Sequence, residues 1–268
     1  SDVYKRQKYH EAEKVFDLRT ENSTYQMQVR EYDTLVHLYY GCPVGDSLIT
    51  DRIVCVDRGF SGNPYEAGKD KTFSLDTLPQ EYTAYGNGDY RINGLEVEQA
   101  DGSDTANLKF ESYKITKGKY SLKGLPAMFA KEDEAETLEI VLADRVSGLK
   151  AHLLYSVFPH LDVITRAVRL EQTGETPVTV KKAMSMEMDF EYREMDAVHF
   201  YGRHNVERQM ERTHLGHANW SVGSIRGTSS HHHNPFVILC DRNTEETYGN
   251  CYGYALAYSG NFTSVSYT

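Results

Sequence analysis

The apolar residues of the chain recur mostly with a period of two, which is the period of a β-strand and not of a helix. Leu138, Ile140 and Leu142 alternate with polar positions, and residues 149–158 form a longer apolar run rich in β-branched and aromatic side chains. No apolar stripe at helical spacing extends over three turns. The pattern predicts an all-β, antiparallel protein built as a sandwich or a barrel. The other segments with strand character are residues 25–29, 164–170, 178–180, 236–240 and 252–258.

A cluster of turn-forming residues, QTGETP at 172–177, lies between two of these segments. The segment before it places Arg166 on the same face as three apolar residues, Ile164, Val168 and Leu170. The segment after it, residues 178–180, is short and β-branched. Two strand-like segments joined by a short turn cluster predict a β-hairpin at this point.

Two stretches interrupt the strand pattern. Residues 57–94 are rich in Gly, Pro, Asn, Asp and Tyr and are too long for an ordinary loop, so an irregular excursion is expected there. Residues 226–235 (RGTSSHHHNP) are the second stretch. Because no internal repeat or clear linker separates the strands, residues 8–268 are predicted to form one domain.

Both ends of the sequence are abrupt. Residues 1–7 (SDVYKRQ) lack a Met and have the character of a non-native assembly or adaptor segment, so they are set aside from the fold prediction. Residues 252–267 alternate like a strand, with no cap or tail behind them. We therefore expect the chain to be a fragment of a longer protein.

Composition narrows the class of protein. Lys and Arg number 29 and Asp and Glu 39, and the resulting net charge of −10 argues against a nucleic-acid binder. The apolar runs are too short for a membrane span. Two disulfides are possible by count, but no CxxC pair occurs, and free thiols in a cytoplasmic protein are the favoured interpretation. The cysteines are Cys42, Cys55, Cys240 and Cys251.

Three features have candidate chemistry. Adjacent histidines on an extended segment point to opposite sides, so only His231 and His233 could share an ion, and two ligands are too few for zinc. We expect no metal there and a docking role for both histidines.

Trp220, the single tryptophan, is expected in the core rather than as a sugar platform. Residues 76–91 mix carboxylates, amides, aromatics and an Arg, which suits either hydroxyl binding or a self-satisfied loop.

Known catalytic motifs do not assign an activity. No GxSxG, HExxH, Walker or GxGxxG motif stands in a credible context. A glycosidase uses two carboxyl groups that flank the scissile bond, and no spacing rule selects two residues among 39 acidic ones.

Distinctive sequence blocks run through the chain from about Val15. The two most specific are LDTLPQEY at 75–82 and YGNGDYR at 85–91, and others follow the same order, namely VHLYYG at 36–41, FSGNPYEAG at 60–68, GLP at 124–126, DEAETLE at 133–139, DVITR at 162–166, SSHHHNPF at 229–236 and YSGNF at 258–262. Together these blocks resemble the N-terminal part of bacterial α-galactosidases of glycoside hydrolase family 36.

The resemblance implies a fold and a place in a larger enzyme. The family's N-terminal domain is a β-supersandwich similar to the galactose-mutarotase fold, and it precedes a (β/α)8 barrel that carries two catalytic Asp residues. This chain ends before such a barrel, so none of its own Asp residues takes those roles. The parent is expected to be a cytoplasmic enzyme that hydrolyses terminal α-galactosyl groups, as in raffinose or melibiose, without cofactor or metal.

The resemblance also implies candidate binding residues. In tetrameric members this domain places an Asp, a hydrophobic residue two positions on and an Arg twelve positions on in the neighbouring subunit's pocket. Asp46, Leu48 and Arg58 match that spacing, and Asp46 and Arg58 are therefore the candidate substrate-binding residues. Surface charge without a binding role is the alternative for both.

Two other functions remain open on the sequence. A stand-alone carbohydrate-binding module needs an exposed aromatic platform. An aldose mutarotase on the same broad fold needs a histidine acid and a carboxylate base that face a pocket.

Overall fold

The computed structural model describes residues 7–57, 59, 62–191 and 193–266. The described residues are 45% strand and 5% helical, and the few helical residues form short 3₁₀ turns. Every pairing between named strands is antiparallel, which confirms the predicted all-β class. The strands are β1 (Gln7–His10), β2 (Val15–Arg19), β3 (Thr24–Val29), β4 (Leu35–Gly41), β5 (Leu95–Glu98), β6 (Lys109–Lys117), β7 (Glu136–Ala143), β8 (Leu149–Phe158), β9 (Val163–Gln172), β10 (Thr179–Ala183), β11 (Met195–Arg203), β12 (Val206–His214), β13 (Trp220–Ser224), β14 (His233–Asp241), β15 (Cys251–Ala255) and β16 (Phe262–Ser266).

The chain divides into two compact units. The first comprises Ser1–Tyr120 and Phe129–Asp189, and the second comprises Ser121–Met128 and Phe190–Thr268. The assignment of residues 8–268 to one domain stays a prediction. Gln7, the last residue of the segment excluded from the fold prediction, is the first residue of β1 and pairs with Leu18. Among the described residues, no helix is long and apolar enough to cross a bilayer.

Two four-stranded meanders form the frame of the first unit, in the orders β1-β2-β3-β4 and β6-β7-β8-β9. Strand β8 is buried along almost its whole length, as its continuous apolar run predicts. Alternate residues of β7 point into the same core. The core contains aromatic and aliphatic side chains from both sheets, including Phe16, Tyr25, Met27, Leu138, Ile140, Leu153, Tyr155 and Val157.

The hairpin predicted around residues 172–177 is wrong. Strand β9 pairs with β8 along its full length, whereas β10 pairs with β5 in a separate two-stranded sheet. The turn cluster is present, but it redirects the chain instead of folding it back on β9. Turn residues show where a strand ends, and the next strand's partner depends on packing against a distant segment.

The irregular excursion is confirmed. Between Gly41 and Leu95 the described residues contain two 3₁₀ turns and no named strand. Phe73, Leu75 and Leu78 from this segment pack against Val15, Val36 and Leu38 in a second buried cluster. The segment also bonds to β4, where the His37 amide donates to the Pro79 carbonyl at 2.6 Å. A segment without strands is thus packed as core and covers the outer face of β4.

The second unit has a four-stranded sheet of order β12-β11-β14-β15 and a two-stranded sheet formed by β13 and β16. Its buried cluster is small, with Met195, Ala197 and Leu215 at its centre. The strands predicted at 236–240 and 252–258 are present as β14 and β15, although β15 ends three residues before Tyr258.

Truncation of the core of the first unit should destabilise it strongly. Leu138 is 0% exposed and lies in the larger core, so Leu138→Ala should lower the free energy of unfolding by about 2–5 kcal/mol. Val146→Ala is the matched control, because that side chain is 97% exposed and should change stability by less than about 0.5 kcal/mol. Urea unfolding measures both, and equal effects would contradict the assigned core.

Candidate functional site

Asp46 lies on the loop that follows β4, and its side chain is fully exposed. Its Oδ1 atom accepts a hydrogen bond from Arg19 Nη1 at 3.1 Å. Arg19 is held in turn by the buried carboxylate of Asp17, which accepts from Arg19 Nε at 2.7 Å. An exposed carboxylate therefore stands beside a guanidinium whose orientation a buried residue fixes.

A buried amide anchors the loop that carries Asp46. Gln26, on β3, is 0% exposed. Its Nε2 donates to the Ser47 carbonyl and its Oε1 accepts from the Ile49 amide, both at 2.9 Å. Because the side chain satisfies both backbone groups, it pairs with the loop as a neighbouring strand would. The backbone on the C-terminal side of Asp46 is thus fixed while its carboxylate faces solvent.

Leu48 and Arg58 complete the sequence pattern that begins at Asp46, and the structure describes only the first of them. Leu48 is half-buried and packs against the second cluster of the first unit. Arg58 lies outside the described residues, so its separation from Asp46 stays untested. The two valines between them at 54 and 56 are exposed, at 72% and 54%.

The polar residues at 76–91 mainly satisfy their own loop. Arg91 donates to Asp89 and Asp189 and to the Leu78 carbonyl, at 2.7–2.9 Å. Gln80 donates to the same Asp89 carboxylate at 2.8 Å. These groups have their hydrogen bonds inside the protein, which favours the self-satisfied loop over hydroxyl binding by the same atoms.

An open cleft of about 350 Å³ lies beside this loop in the first unit. Tyr85 and Tyr90 line it and are 46% and 81% exposed. Glu96 and Lys182 line its other side and form an ion pair with each other. Arg91 and Asp89 also line the cleft, but they form hydrogen bonds with each other and with Gln80, Asp189 and the Leu78 carbonyl.

A buried ion pair joins the strands of the first unit. Arg166 Nη2 lies 2.8 Å from Glu81 Oε1, and the two side chains are 6% and 0% exposed. The hydroxyls of Tyr25 and Tyr155 donate to the same Glu81 oxygen at 2.6 and 2.8 Å. Burial would raise the pKa of Glu81, but Arg166 and the neighbouring donors outweigh it and lower the pKa. Glu81 is therefore held as a carboxylate.

Glu187 is a half-buried carboxyl group whose pKa shifts in the opposite direction. Its two oxygens contact the amide and the hydroxyl of Thr83, each at 2.8 Å. Burial raises the pKa of Glu187 to about 8, although the Thr83 bonds act in the other direction. Arg166 Nη1 donates to the Glu187 carbonyl at 2.6 Å, so the same guanidinium holds this segment.

The histidine cluster departs from the geometry predicted for it. The rings of His231 and His232 stack with centroids 4.7 Å apart, because the two residues form a turn and not an extended segment. His233 begins β14, and its ring centroid lies 5.9 Å from that of His199. No group of three or more metal-binding side chains occurs within the described residues. The docking role of His231 and His233 stays a prediction.

Trp220 is half-buried on β13 and packs on the small core of the second unit, as expected. Its ring meets the His199 ring edge-on at 5.6 Å. The indole is therefore partly covered by protein and does not stand free as an exposed platform.

A family model and known proteins match almost the whole described chain. The model of the glycosyl hydrolase family 36 N-terminal domain matches residues 33–265. The chain belongs to glycoside hydrolase family 36. This family 36 domain is 51% identical over 256 residues to the bifunctional alpha-galactosidase/sucrose kinase AgaSK of Mediterraneibacter gnavus. The aligned region covers 95% of this chain and 27% of AgaSK. Alpha-galactosidase Mel36A of Lactobacillus acidophilus is 41% identical over 95% of the chain and 35% of its own length.

Solved structures agree with the fold of this family 36 domain. The galactosidase domain of AgaSK superposes with a TM-score of 0.94 at 50% identity, over 97% of this chain and 36% of that one. A variant of AgaA from Geobacillus stearothermophilus, in complex with raffinose, superposes with a TM-score of 0.90 at 41% identity. That match covers 94% of this chain and 35% of the AgaA chain. The chain thus spans about a third of the length of the curated relatives it matches. The predicted family and its β-supersandwich N-terminal domain are confirmed.

The cluster of Glu81, Arg166 and Glu187 was not predicted from the sequence. One signal was present, since Arg166 shares a face of its strand with apolar residues. A charged residue on an apolar face requires a buried partner. The sequence does not show which of 39 acidic residues is that partner.

The raised pKa of Glu187 predicts a pH-dependent stability. Between its ordinary value of 4.5 and about 8, the folded state keeps a proton that the unfolded state loses, so stability falls as pH rises through this window. Glu187→Gln mimics the protonated form and should remove that fall. Above pH 8, the free energy of unfolding of Glu187→Gln should exceed that of the wild type by an amount on the order of a few kcal/mol, since one pKa unit corresponds to about 1.4 kcal/mol.

Thermal unfolding between pH 5 and 9 measures this effect. Glu246→Gln is the matched control, because that carboxyl is exposed. If wild type and Glu187→Gln have parallel pH profiles, Glu187 is ionised in the folded protein.

Proposed function

We propose that the chain is the N-terminal domain of a retaining α-galactosidase that removes terminal α-galactosyl groups from oligosaccharides such as raffinose. The observation that carries this proposal is the 51% identity, over 95% of the chain, to a protein named alpha-galactosidase/sucrose kinase. Complexes of Geobacillus AgaA variants with raffinose and stachyose support the substrate class. By resemblance, the parent acts by double displacement with two barrel carboxylates.

Within this proposal Asp46 contributes to sugar binding at a subunit boundary. Its carboxylate is exposed, and Arg19 and the Gln26 anchor hold its loop in place. Galactose is neutral, so its recognition depends on directional hydrogen bonds to hydroxyl groups. A carboxylate accepts such bonds, and its charge makes them stronger than neutral ones. Arg58 is proposed as the complementary donor, and the assembly as a tetramer.

A cytoplasmic location is proposed for the parent. All four cysteines are free thiols, which suits a reducing compartment.

The alternatives find less support. A mutarotase needs a histidine and a carboxylate that face substrate, but His37 and Glu81, 3.4 Å apart, are both buried. A carbohydrate-binding module based on Trp220 needs an exposed ring, and that side chain is half-buried against the small core of the second unit.

The isolated chain should not hydrolyse an aryl α-galactoside. The proposal places both catalytic carboxylates outside this chain, and hydrolysis needs the pair. Release of the aryl group by the purified chain is the measurement, with a full-length family member as the positive control. Activity that co-purifies with the chain would contradict the division of roles.

A chimera tests the binding role of Asp46. Residues 8–266 would replace the matching region of AgaSK, and Asp46→Ala or Arg58→Ala would be introduced there. Loss of a charge-assisted hydrogen bond should raise KM for raffinose about tenfold or more, with a smaller rise for an aryl galactoside and little change in kcat. Asp104→Ala, an exposed carboxylate of the same unit, is the matched control. Equal kinetics for all variants would leave Asp46 and Arg58 as surface charges.

A further inference from the structure

Two cysteines lie directly opposite each other in the sheet of the second unit. Cys240, on β14, is the register partner of Cys251, on β15. Directly opposite residues of an antiparallel pair have side chains on the same face of the sheet. Both residues are free thiols.

The hydrogen-bond pattern shows which kind of pair they form. The Asp241 amide donates to the Asn250 carbonyl at 3.2 Å, and the Leu256 amide donates to the Pro235 carbonyl at 2.9 Å. Odd-numbered residues of β14 are therefore the hydrogen-bonded ones, and Cys240 with Cys251 is a non-hydrogen-bonded pair. In such pairs the Cα atoms are about 4.5 Å apart, within the range of roughly 4.4–6.8 Å that disulfides span.

The two thiols differ in access. Cys251 is exposed, whereas Cys240 is 3% exposed and its sulfur lies 3.7 Å from the Asp196 carbonyl. Burial raises the pKa of the Cys240 thiol. An incoming reagent therefore meets Cys251 first, and Cys240 is placed behind it as a second thiol.

We propose that Cys240 and Cys251 form a thiol–disulfide exchange site that reacts with a low-molecular-weight disulfide such as oxidised glutathione. The Cys251 thiolate attacks one sulfur of the reagent, and a mixed disulfide forms while one reduced glutathione leaves. The Cys240 thiol then loses its proton and attacks the Cys251 sulfur, which releases the second glutathione. The protein loses two electrons and two protons, and the reagent is reduced to two thiols.

The product would join β15 to β14 beside their exposed connection at 242–250. Strand β15 lies at the edge of its sheet, so the bond would fix an edge strand covalently to the sheet. Because Cys251 is exposed, thiolates can reach the bond, and exposed disulfides are the ones that are easily reduced. The modification is therefore reversible. This inference concerns the second unit and does not rest on the proposed function.

Exposure of the reduced chain to oxidised glutathione tests the site. After alkylation of the remaining thiols, non-reducing peptide mapping should find a Cys240–Cys251 link and a mass lower by two hydrogen atoms. Reduced glutathione in excess should restore both thiols. The double variant Cys42→Ser/Cys55→Ser is the matched control and should form the link at the wild-type rate.

Single variants separate the two roles. Cys240→Ser should accumulate a stable glutathione adduct on Cys251, and Cys240→Ala provides the same test with an apolar side chain if the serine variant does not fold. Cys251→Ser should slow the loss of the Cys240 thiol at least about tenfold, because that thiol is shielded. A link through Cys42 or Cys55, wild-type protein that stops at the mixed disulfide, or equal reactivity of Cys240 without Cys251 would overturn the proposal.

Discussion

The buried pair of Glu81 and Arg166 is the interaction on which the first unit depends. Taking two charges out of water costs several kcal/mol per ion, and their attraction offsets this cost only when further hydrogen bonds satisfy the remaining groups. Tyr25 and Tyr155 supply such bonds, and Arg166 also donates to the carbonyl of Glu187. The pair thereby joins β3, β8 and β9 to two segments without strand structure. Removal of one partner would leave the other charge buried and unpaired, which costs about 3–5 kcal/mol.

This polar interior explains how a long irregular segment stays ordered. Its described residues 62–94 have few strand partners, so side chains must satisfy their backbone groups. Glu81 holds the polar stretch at 76–91 from within, and Arg91 holds its C-terminal end by donating to the Leu78 carbonyl and to Asp189. The loop that carries Asp46 is held in a different way, by the amide of Gln26. Each loop is therefore held by a buried side chain, and the loop that carries the exposed Asp46 carboxylate keeps its position without pairing as a strand.

Half of the ten named strands of the first unit were predicted from the sequence, because the patterns of those five are local. The continuous apolar run of β8 and the alternation of β7 each identify a buried strand without reference to a partner. The hairpin at residues 172–177 was mispredicted because the partner of β10 is β5, more than eighty positions earlier in the chain, and no local pattern encodes that pairing. Asp46 was named as a candidate binding residue through family resemblance alone. Its anchor, Gln26, was not predicted, since a glutamine inside a strand gives no sign that it is buried.

A perturbed carboxyl group alone does not make an active site in this domain. Glu187 has a pKa near the value that suits a general acid, which in a cleft would mark a catalytic candidate. Both its oxygens, however, are engaged by Thr83, and Glu81 accepts from two tyrosines and Arg166. Glycoside hydrolysis requires two carboxyl groups about 5–9.5 Å apart that face a sugar from both sides. Glu81 is fully buried, and neither Glu81 nor Glu187 lines the open cleft of the first unit, so neither is placed to reach a glycosidic bond. The chemistry of the interior is therefore structural, and the exposed loops are the part of this domain that can meet a substrate.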